Sequence, residues 1–277
     1  MTLLQRIYPP VPPVDGAARW LLFRGDEILL PVNGGSPLCD GTTEAPAILA
    51  VGDALYLGVF DGLPLLTGTV PGGLELPDTI EPAGLRSLLA REDAELNALA
   101  SYAAQLIRWV QGMRFCPTCA QPLSTIEGTW GRQCVVCGGS WYPPVSPAII
   151  VLIHSDDRIL LTTKPGWGKR YSLVAGFVEP GETFEECVAR EVFEEVGVAV
   201  DQIRYLSSQA WPFPHQIMVG FMARYTGGEI VIEAAELADA AWFHEASLPE
   251  LPQPYTIARR IIEQWRSERS AQQGAAL

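Results

Sequence analysis

Lysine is nearly absent from this chain: of 19 basic residues only Lys164 and Lys169 are lysines, and 32 acids leave a net charge of −13. That balance argues against a general nucleic-acid or membrane-surface binder, which needs a basic face. The arginine bias is consistent with genome composition rather than function. Long apolar runs are missing too. The longest solid stretches, such as AIIVLI at 148–153, have the length of a strand and not of a membrane span. The N-terminal MTLLQRIYPPVPPV has neither an apolar core nor a small-residue cleavage site, so no signal peptide is expected. Internal repeats and low-complexity tracts are also lacking. Four of the six cysteines fall in a metal-type pattern, so a reducing, cytoplasmic setting fits better than a disulfide framework.

What is present is a globular chain of 277 residues, 48% hydrophobic, long enough for two domains with cores of their own. Residues 1–83 alternate short apolar runs (WLLF, EILLPV, AILAVG, ALYLGVF) with Gly, Pro and Asp, the pattern of short strands and turns. Residues 84–111 hold no proline and space their apolar positions as one or two helices do, ending near Gly112. A cysteine module occupies 113–142. Beyond Pro143-Pro144, strands are expected at AIIVLI, RILLTT, 217–225 and 229–233, a helix within 176–197, and a last helix at 254–268. The chain thus reads as an α+β multidomain protein: 1–112, a ribbon at 113–142, a third domain at 143–268 and a flexible tail at 269–277.

The cysteine module reads Cys116-Pro-Thr-Cys119, fourteen residues, then Cys134-Val-Val-Cys137. Paired knuckles at this separation supply four thiolates to a tetrahedral zinc, and four sulfurs leave no open position for a substrate water, so the zinc is structural. A disulfide pair or a nucleic-acid ribbon are the alternatives, but only Arg114 and Arg132 supply positive charge there and Glu127 offsets one of them. Cys39 and Cys187 read as small buried hydrophobes.

The chemistry concentrates in GFVEPGETFEECVAREVFEEVGV, residues 176–198. Thr183 with Glu186 forms a capping box, so a helix begins near Phe184, and Gly197 stops it. At ~100° per residue, Glu191, Glu194 and Glu195 share an arc of roughly 100°. Ala189, Val192, Phe193 and Val196 fall on a neighbouring arc expected to face the core. Carboxylates this close repel unless a cation neutralises them, and Mg²⁺ or Mn²⁺ takes such oxygen ligands while bridging to phosphates. Arg190 can pair with Glu194 or reach Glu182 across the turn that Gly176, Pro180 and Gly181 shape. A solvated acidic face is the competing reading of the glutamates alone.

Gly176, five residues, Glu182, seven residues, then Arg190-Glu191-Val192-Phe193-Glu194-Glu195-Val196-Gly197-Val198 resembles the Nudix box in full. The resemblance implies an α/β/α sandwich with a mixed sheet and attack by a metal-activated water on a diphosphate linked to a nucleoside. It implies Glu191 and Glu195 as main metal ligands, assisted by Glu194 and the carbonyl of Ala175, with Glu195 the most sensitive position. Which carboxylate takes the water proton stays open.

Downstream, Ser208-Gln209-Ala210-Trp211-Pro212-Phe213-Pro214-His215-Gln216 is similar to the SQPWPFPxS signature of the NADH pyrophosphatase family, with Ala210 for a proline and Gln216 for the closing serine. The ribbon and the β-rich N-terminal region suit the same family. The resemblance implies hydrolysis of NADH or NAD⁺ to AMP and nicotinamide mononucleotide, removal of NAD caps from RNA by some members, and a homodimer. It implies that Tyr142, Phe177 and Trp211 grip the nicotinamide, Trp211 coming from the partner subunit. The signature residues Gln209 to Gln216 lie on the substrate side, Glu236 ligates metal late in the domain, and Ala258 offers a backbone contact to the nicotinamide amide. Plainer readings compete: Tyr142 covering the ribbon, Trp211 in a dimer core, Phe177 in the core, Glu236 as a solvated helix-start acid. His215 reads as a loop residue and not a base, and Lys164 and Lys169 as solvated lysines that could steer phosphates. A hydrolase of another dinucleotide such as ADP-ribose, and a zinc-ribbon regulator that only binds nucleotide, are the rival functions.

Overall fold

The structure, a computed structural model, describes residues 4–7, 16–43, 52–91 and 93–275. Most of the expected AILAVG strand falls outside these. The chain divides into two compact units, Met1–Pro144 and Val145–Leu277.

The first unit is built on a seven-stranded sheet: β1 (Leu4–Gln5), β2 (Ala17–Arg24), β3 (Glu27–Pro31), β4 (Leu38–Thr42), β5 (Gly52–Phe60), β6 (Leu63–Thr69) and β7 (Ile80–Gly84). Its order is β1-β5-β6-β2-β3-β7, with β4 also on β2 and a parallel β2–β6 pair. Ala18, Trp20 and Leu22 alternate into one core cluster while Leu21 and Phe23 are buried between them, the pattern of a strand covered on both faces. Two helices follow, α1 (Leu85–Leu89) and α2 (Ala94–Gly112), as the 84–111 pattern predicts. Asp93 caps α2 by accepting from the amides of Glu95 and Leu96. A small three-stranded sheet, β8 (Ser124–Thr125), β9 (Arg132–Gln133) and β10 (Ser140–Trp141), carries the cysteines. It is tied to α2 by Trp109 Nε1, which donates to the Trp130 carbonyl at 2.7 Å, and by Trp130 Nε1, which donates to the Tyr102 hydroxyl at 3.0 Å.

The second unit is a mixed six-stranded sheet between two helices. Its elements are β11 (Ser146–Ser155), β12 (Arg158–Thr163), β13 (Val174–Phe177), α3 (Phe184–Val196), β14 (Ala199–Trp211), β15 (Gln216–Gly227), β16 (Asp239–His244) and α4 (Ile257–Ala275). The order is β14-β15-β11-β12-β16, with β13 also on β11 and β11 parallel to β15. The run AIIVLI is solidly apolar because β11 is covered twice. Ile149, Val151 and Ile153 pack with Val188, Val192 and Val196 of α3, whereas Ile150 and Leu152 pack with Ile257, Ile261 and Trp265 of α4. Each such fully buried aliphatic side chain contributes roughly 1.5–3 kcal/mol.

Three expectations are corrected. Residues 229–233 form no strand; the amides of Val231 and Glu233 donate instead to the carbonyls of Val196 and Glu195, at 3.0 Å each, and so satisfy the open end of α3. The last helix starts at Ile257 rather than 254 and runs to Ala275, through most of the tail expected to be flexible from 269. Third, Ala189 and Phe193 face outward, Phe193 being 66% exposed. The buried stripe of α3 is Val188, Val192, Glu195 and Val196, spaced i, i+4, i+7, i+8, and it takes in a glutamate that residue type alone would put outside.

Candidate active site

The loop before α3 is held from both ends. The Thr183–Glu186 capping box is formed as expected, and Gly197 closes the helix at a φ of 72°. Arg190 then ties the loop to the helix. Its Nε and Nη2 donate to the two carboxylate oxygens of Glu182 at 2.7 and 2.9 Å, a bidentate pair. The same Nη2 donates to the Phe177 carbonyl at 2.9 Å, and Nη1 donates to Glu191 and to Glu194, each at 2.9 Å. Arg190 hydrogen bonds, reinforced by the amide of Glu179, hold the Glu182 carboxyl down to about 2. Glu182 is thus spent on positioning, and both of the partners expected for Arg190 are engaged at once.

Glu191, Glu194 and Glu195 share a helix face but not an environment. Glu194 lies in solvent, its side chain 57% exposed, whereas Glu195 is 3% exposed and both of its carboxylate oxygens lack a hydrogen-bond partner. Burial pushes the Glu195 carboxyl up to about 7, against the pull of Lys164, and burial likewise raises Glu191 against the pull of Arg190. Lys164 Nζ lies 3.8 Å from Glu195, an ion pair too long for a hydrogen bond, and 3.6 Å from Glu236. Gly176 faces the same cluster so closely that a Cβ there would fall 1.9 Å from the Glu191 carboxyl carbon. A buried carboxylate without donors is costly unless a cation meets it. The orphaned oxygens of Glu195, the half-buried Glu191 and the turn residue Glu236 therefore make an oxygen donor set that fits a hard divalent cation.

The four cysteine sulfurs lie within 4.8 Å of one another, with Cys116–Cys137 and Cys119–Cys134 at 3.5 Å and no disulfide. A tetrahedral metal with ~2.3 Å bonds has sulfur–sulfur edges of roughly 3.8 Å, so the cluster fits one. The Cys116 thiol is opposed by burial but drawn down to about 6 by the amides of Cys119 and Thr118. Cys119 is drawn down by the Gln121 amide yet pushed up to about 12 by the neighbouring sulfurs, Cys134 first. Without a cation these thiols do not all ionise.

The other expected site residues fall in distinct places. Phe177, 51% exposed, ends β13, two residues beyond Ala175, which pairs with Ile150. Tyr142, 57% exposed, belongs to the first unit, its ring against Gly131. Residues 212–215 form the turn between β14 and β15, with a cis Phe213-Pro214 bond, and the rings of Trp211 and Phe213 meet edge-on at 5.0 Å. Pro212 and Pro214 thus lie in a turn, outside the ladder, where their missing donors cost no strand hydrogen bond. Ala210 and Gln216 flank this turn, opposite Ile217 and Trp211. His215 is half-buried, its Nδ1 3.2 Å from the Ser146 hydroxyl. Gln209 is bound to the start of α4: its Nε2 donates to the Tyr255 carbonyl at 2.9 Å, and its Oε1 accepts from the Ile257 amide at 2.7 Å. Ala258, buried, is the next residue of that helix.

Lys164, which reads from the sequence as a solvated lysine, instead meets Glu195 and Glu236. It lies outside the box, and only its place in the loop before β13 hinted at phosphate chemistry.

Loop, helix and carboxylate cluster on a mixed sheet define a Nudix hydrolase, an enzyme acting on a pyrophosphate bond. The NUDIX domain model matches residues 144–265, and a model described as an NADH pyrophosphatase-like rudimentary NUDIX domain matches 17–109. A protein of Chromobacterium violaceum called NAD-capped RNA hydrolase NudC is 41% identical over 261 residues, 92% of this chain and 94% of that protein. Proteins of the same name from Stutzerimonas stutzeri and Pseudomonas putida (strain W619) are 44% and 43% identical over 217 and 220 residues. These cover 77% of this chain and 77% and 78% of the relatives. The chain belongs to the NADH pyrophosphatase family of Nudix hydrolases.

Proposed function

We propose that this chain hydrolyses the diphosphate of NADH and NAD⁺, water adding across the P–O–P bridge to give AMP and nicotinamide mononucleotide, and that it removes NAD caps from RNA. The observation that carries the reading is Glu195: two buried carboxylate oxygens without a donor, on the helix that presents Glu191 beside Gly176. The names of the relatives supply the substrate class. Glu191, Glu194, Glu195, Glu236 and the Ala175 carbonyl would hold Mg²⁺ or Mn²⁺, and Cys116, Cys119, Cys134 and Cys137 one structural zinc. When bound, the divalent cation neutralises the diphosphate, stabilises charge on the leaving oxygen and lowers the pKa of the attacking water.

The protein's own groups prepare that chemistry. Arg190 and Glu182 fix the loop against the helix, so Glu191 and Glu195 meet the substrate already oriented. Phe177, Tyr142 and Trp211 offer flat rings for a planar nicotinamide and lose little freedom on doing so. The backbone of Ala258, beside the Gln209 clamp, faces its amide. In this reading the protein is a cytoplasmic homodimer, and residues 113–142 form a structural ribbon between a family-specific N-terminal domain and the catalytic domain at 143–268. No helix among the described residues is long and apolar enough to cross a membrane.

Purified protein with Mg²⁺ or Mn²⁺, offered NADH, NAD⁺, ADP-ribose and NAD-capped RNA, tests the proposal by chromatography of the products. AMP from NADH or NAD⁺, and release of the cap from RNA, are expected. AMP from none of them, or from ADP-ribose alone, overturns it.

A further inference from the structure

The second unit contains a cavity of about 610 Å³ that the catalytic reading does not use. Its lining includes His154 near the end of β11, Arg204 of β14, Met222 and Arg224 of β15, and Trp265 and Arg269 of α4. Two distances separate it from the residues of the proposed active site. His154 lies five residues along β11 from Ile149, the partner of Gly176, or roughly 16 Å at strand rise. Trp265 and Arg269 lie roughly 10 and 16 Å along α4 from Ala258 at helix rise. The cavity also opens on the α4 side of the sheet, because Met222 and Trp265 belong to the core cluster that α4 covers, whereas the acidic helix packs on the other face.

In a chain with a net charge of −13, three guanidiniums converge here. Acids orient them without exhausting them. Arg224 commits Nε and Nη2 to Asp201, at 2.8 and 2.5 Å. Arg204 commits Nη2 to Glu268 at 2.8 Å and to the Met222 sulfur at 3.5 Å, and Arg269 lies over the Trp265 ring at 5.4 Å with Nε 3.4 Å from Glu245 and Nη1 donating to the Asp156 carbonyl. A guanidinium carries five N–H donors, so each retains donors beyond those contacts. Burial first, then Arg204, Arg224 and Arg269, lower the His154 pKa, while Glu268 raises it. Trp265 and Met222, 3% and 5% exposed, give the cavity an apolar floor. Oriented arginine forks around an apolar-floored hollow of this size are the chemistry of phosphate recognition.

We infer that this cavity is a second ligand site, distinct from the catalytic cluster, which binds a phosphate group. A small phosphorylated effector and the backbone of an RNA body share that chemistry.

The three histidines, His154, His215 and His244, make the test direct. The wild-type protein, without added Mg²⁺ or Mn²⁺, is titrated with inorganic phosphate and, separately, with a 5′-hydroxyl oligoribonucleotide, while its imidazole signals are followed by NMR. The expected result is a saturable shift of His154 with either probe and none at His215 or His244. A response to phosphate identifies a small anion, and a response to the oligoribonucleotide alone identifies the RNA backbone. In an Arg204→Gln/Arg224→Gln variant the apparent affinity should fall at least ~10-fold, and in Glu195→Gln it should stay unchanged. If His154 fails to saturate with both probes, or moves equally in chloride of matched ionic strength, the inference is overturned. Equal binding by the arginine variant, verified as folded by circular dichroism, overturns it as well.

Discussion

Lys164 reaches across from the loop after β12 to lie 3.8 Å from Glu195, the most buried carboxylate on α3. It also lies 3.6 Å from Glu236, so one ammonium spans both ends of the proposed cation site. The lysine stands where part of the cation's charge belongs. Lys164→Met should destabilise the metal-free protein by on the order of 1 kcal/mol, since the pair is only partly screened. Added Mn²⁺ should then raise the melting temperature more in the variant than in the wild type, as it meets a carboxylate with no other partner. An equal or smaller rise, read by differential scanning fluorimetry, contradicts this role.

Glu195→Gln keeps the shape and removes the charge. Hydrolysis of NADH should drop by on the order of 10²–10³-fold or more, the scale of losing one principal electrostatic group. Zinc content, measured by atomic absorption, should stay the same. The metal-free variant should also be at least as stable as the wild type, because a buried ionisable group without donors has become a neutral amide. Retained turnover would show that the cation is held elsewhere.

Gly176→Ala probes the close approach rather than the charge. A Cβ 1.9 Å from the Glu191 carboxyl carbon cannot be accommodated without moving one of them. The expected overpacking penalty is about 1–3 kcal/mol. Mn²⁺ affinity should weaken by roughly tenfold, about 1.4 kcal/mol, as Glu191 swings away. Isothermal titration calorimetry reads both affinity and stoichiometry, and an unchanged Kd would mean that Glu191 is no ligand.

Much of this was legible in the residues. The box spacing carried the loop, the cap, the helix and the Arg190–Glu182 link, because each depends on contacts within about one helical turn or across one short loop. Which helical face is buried was not legible. Ala189 and Phe193 look apolar, yet the face of α3 is chosen by the Ile149–Ile153 side of β11, a long-range partner. Residues 229–233 look like a strand because Ile230, Val231 and Ile232 are β-branched and apolar, but the amides of Val231 and Glu233 donate to the end of α3. Lys164 was equally hidden, since its partners lie 31 and 72 positions away.

The Glu182–Arg190 pair sets an acid limit on stability. The folded carboxyl is held to about 2 against an ordinary value of 4.5, chiefly by Arg190. A depressed carboxyl stabilises the fold fully above its unfolded value, and that contribution is lost as pH falls from about 4.5 towards 2. Urea midpoints should therefore decline over this window, and Glu182→Gln should flatten the decline while lowering the midpoint at pH 7. A variant with the same acid slope as the wild type would remove Glu182 from the account.

Gln209 does a task that the signature alone does not reveal. Resemblance puts it on the substrate side, yet both ends of its amide are used on backbone, one on the Tyr255 carbonyl and one on the Ile257 amide at the first turn of α4. It acts as a cap delivered from a strand, fixing the helix start that presents Ala258. Gln209→Ala should remove two half-buried hydrogen bonds and cost about 1–3 kcal/mol, lowering Tm by roughly 2–4 °C per kcal/mol for a unit of this size. Gln209→Glu keeps the acceptor for Ile257 but sets a carboxylate against the Tyr255 carbonyl, so it should recover only part of the loss. If Gln209 touches the substrate itself, KM for NADH will rise in both variants without a matching loss of Tm. If it works through α4, Tm and KM will move together.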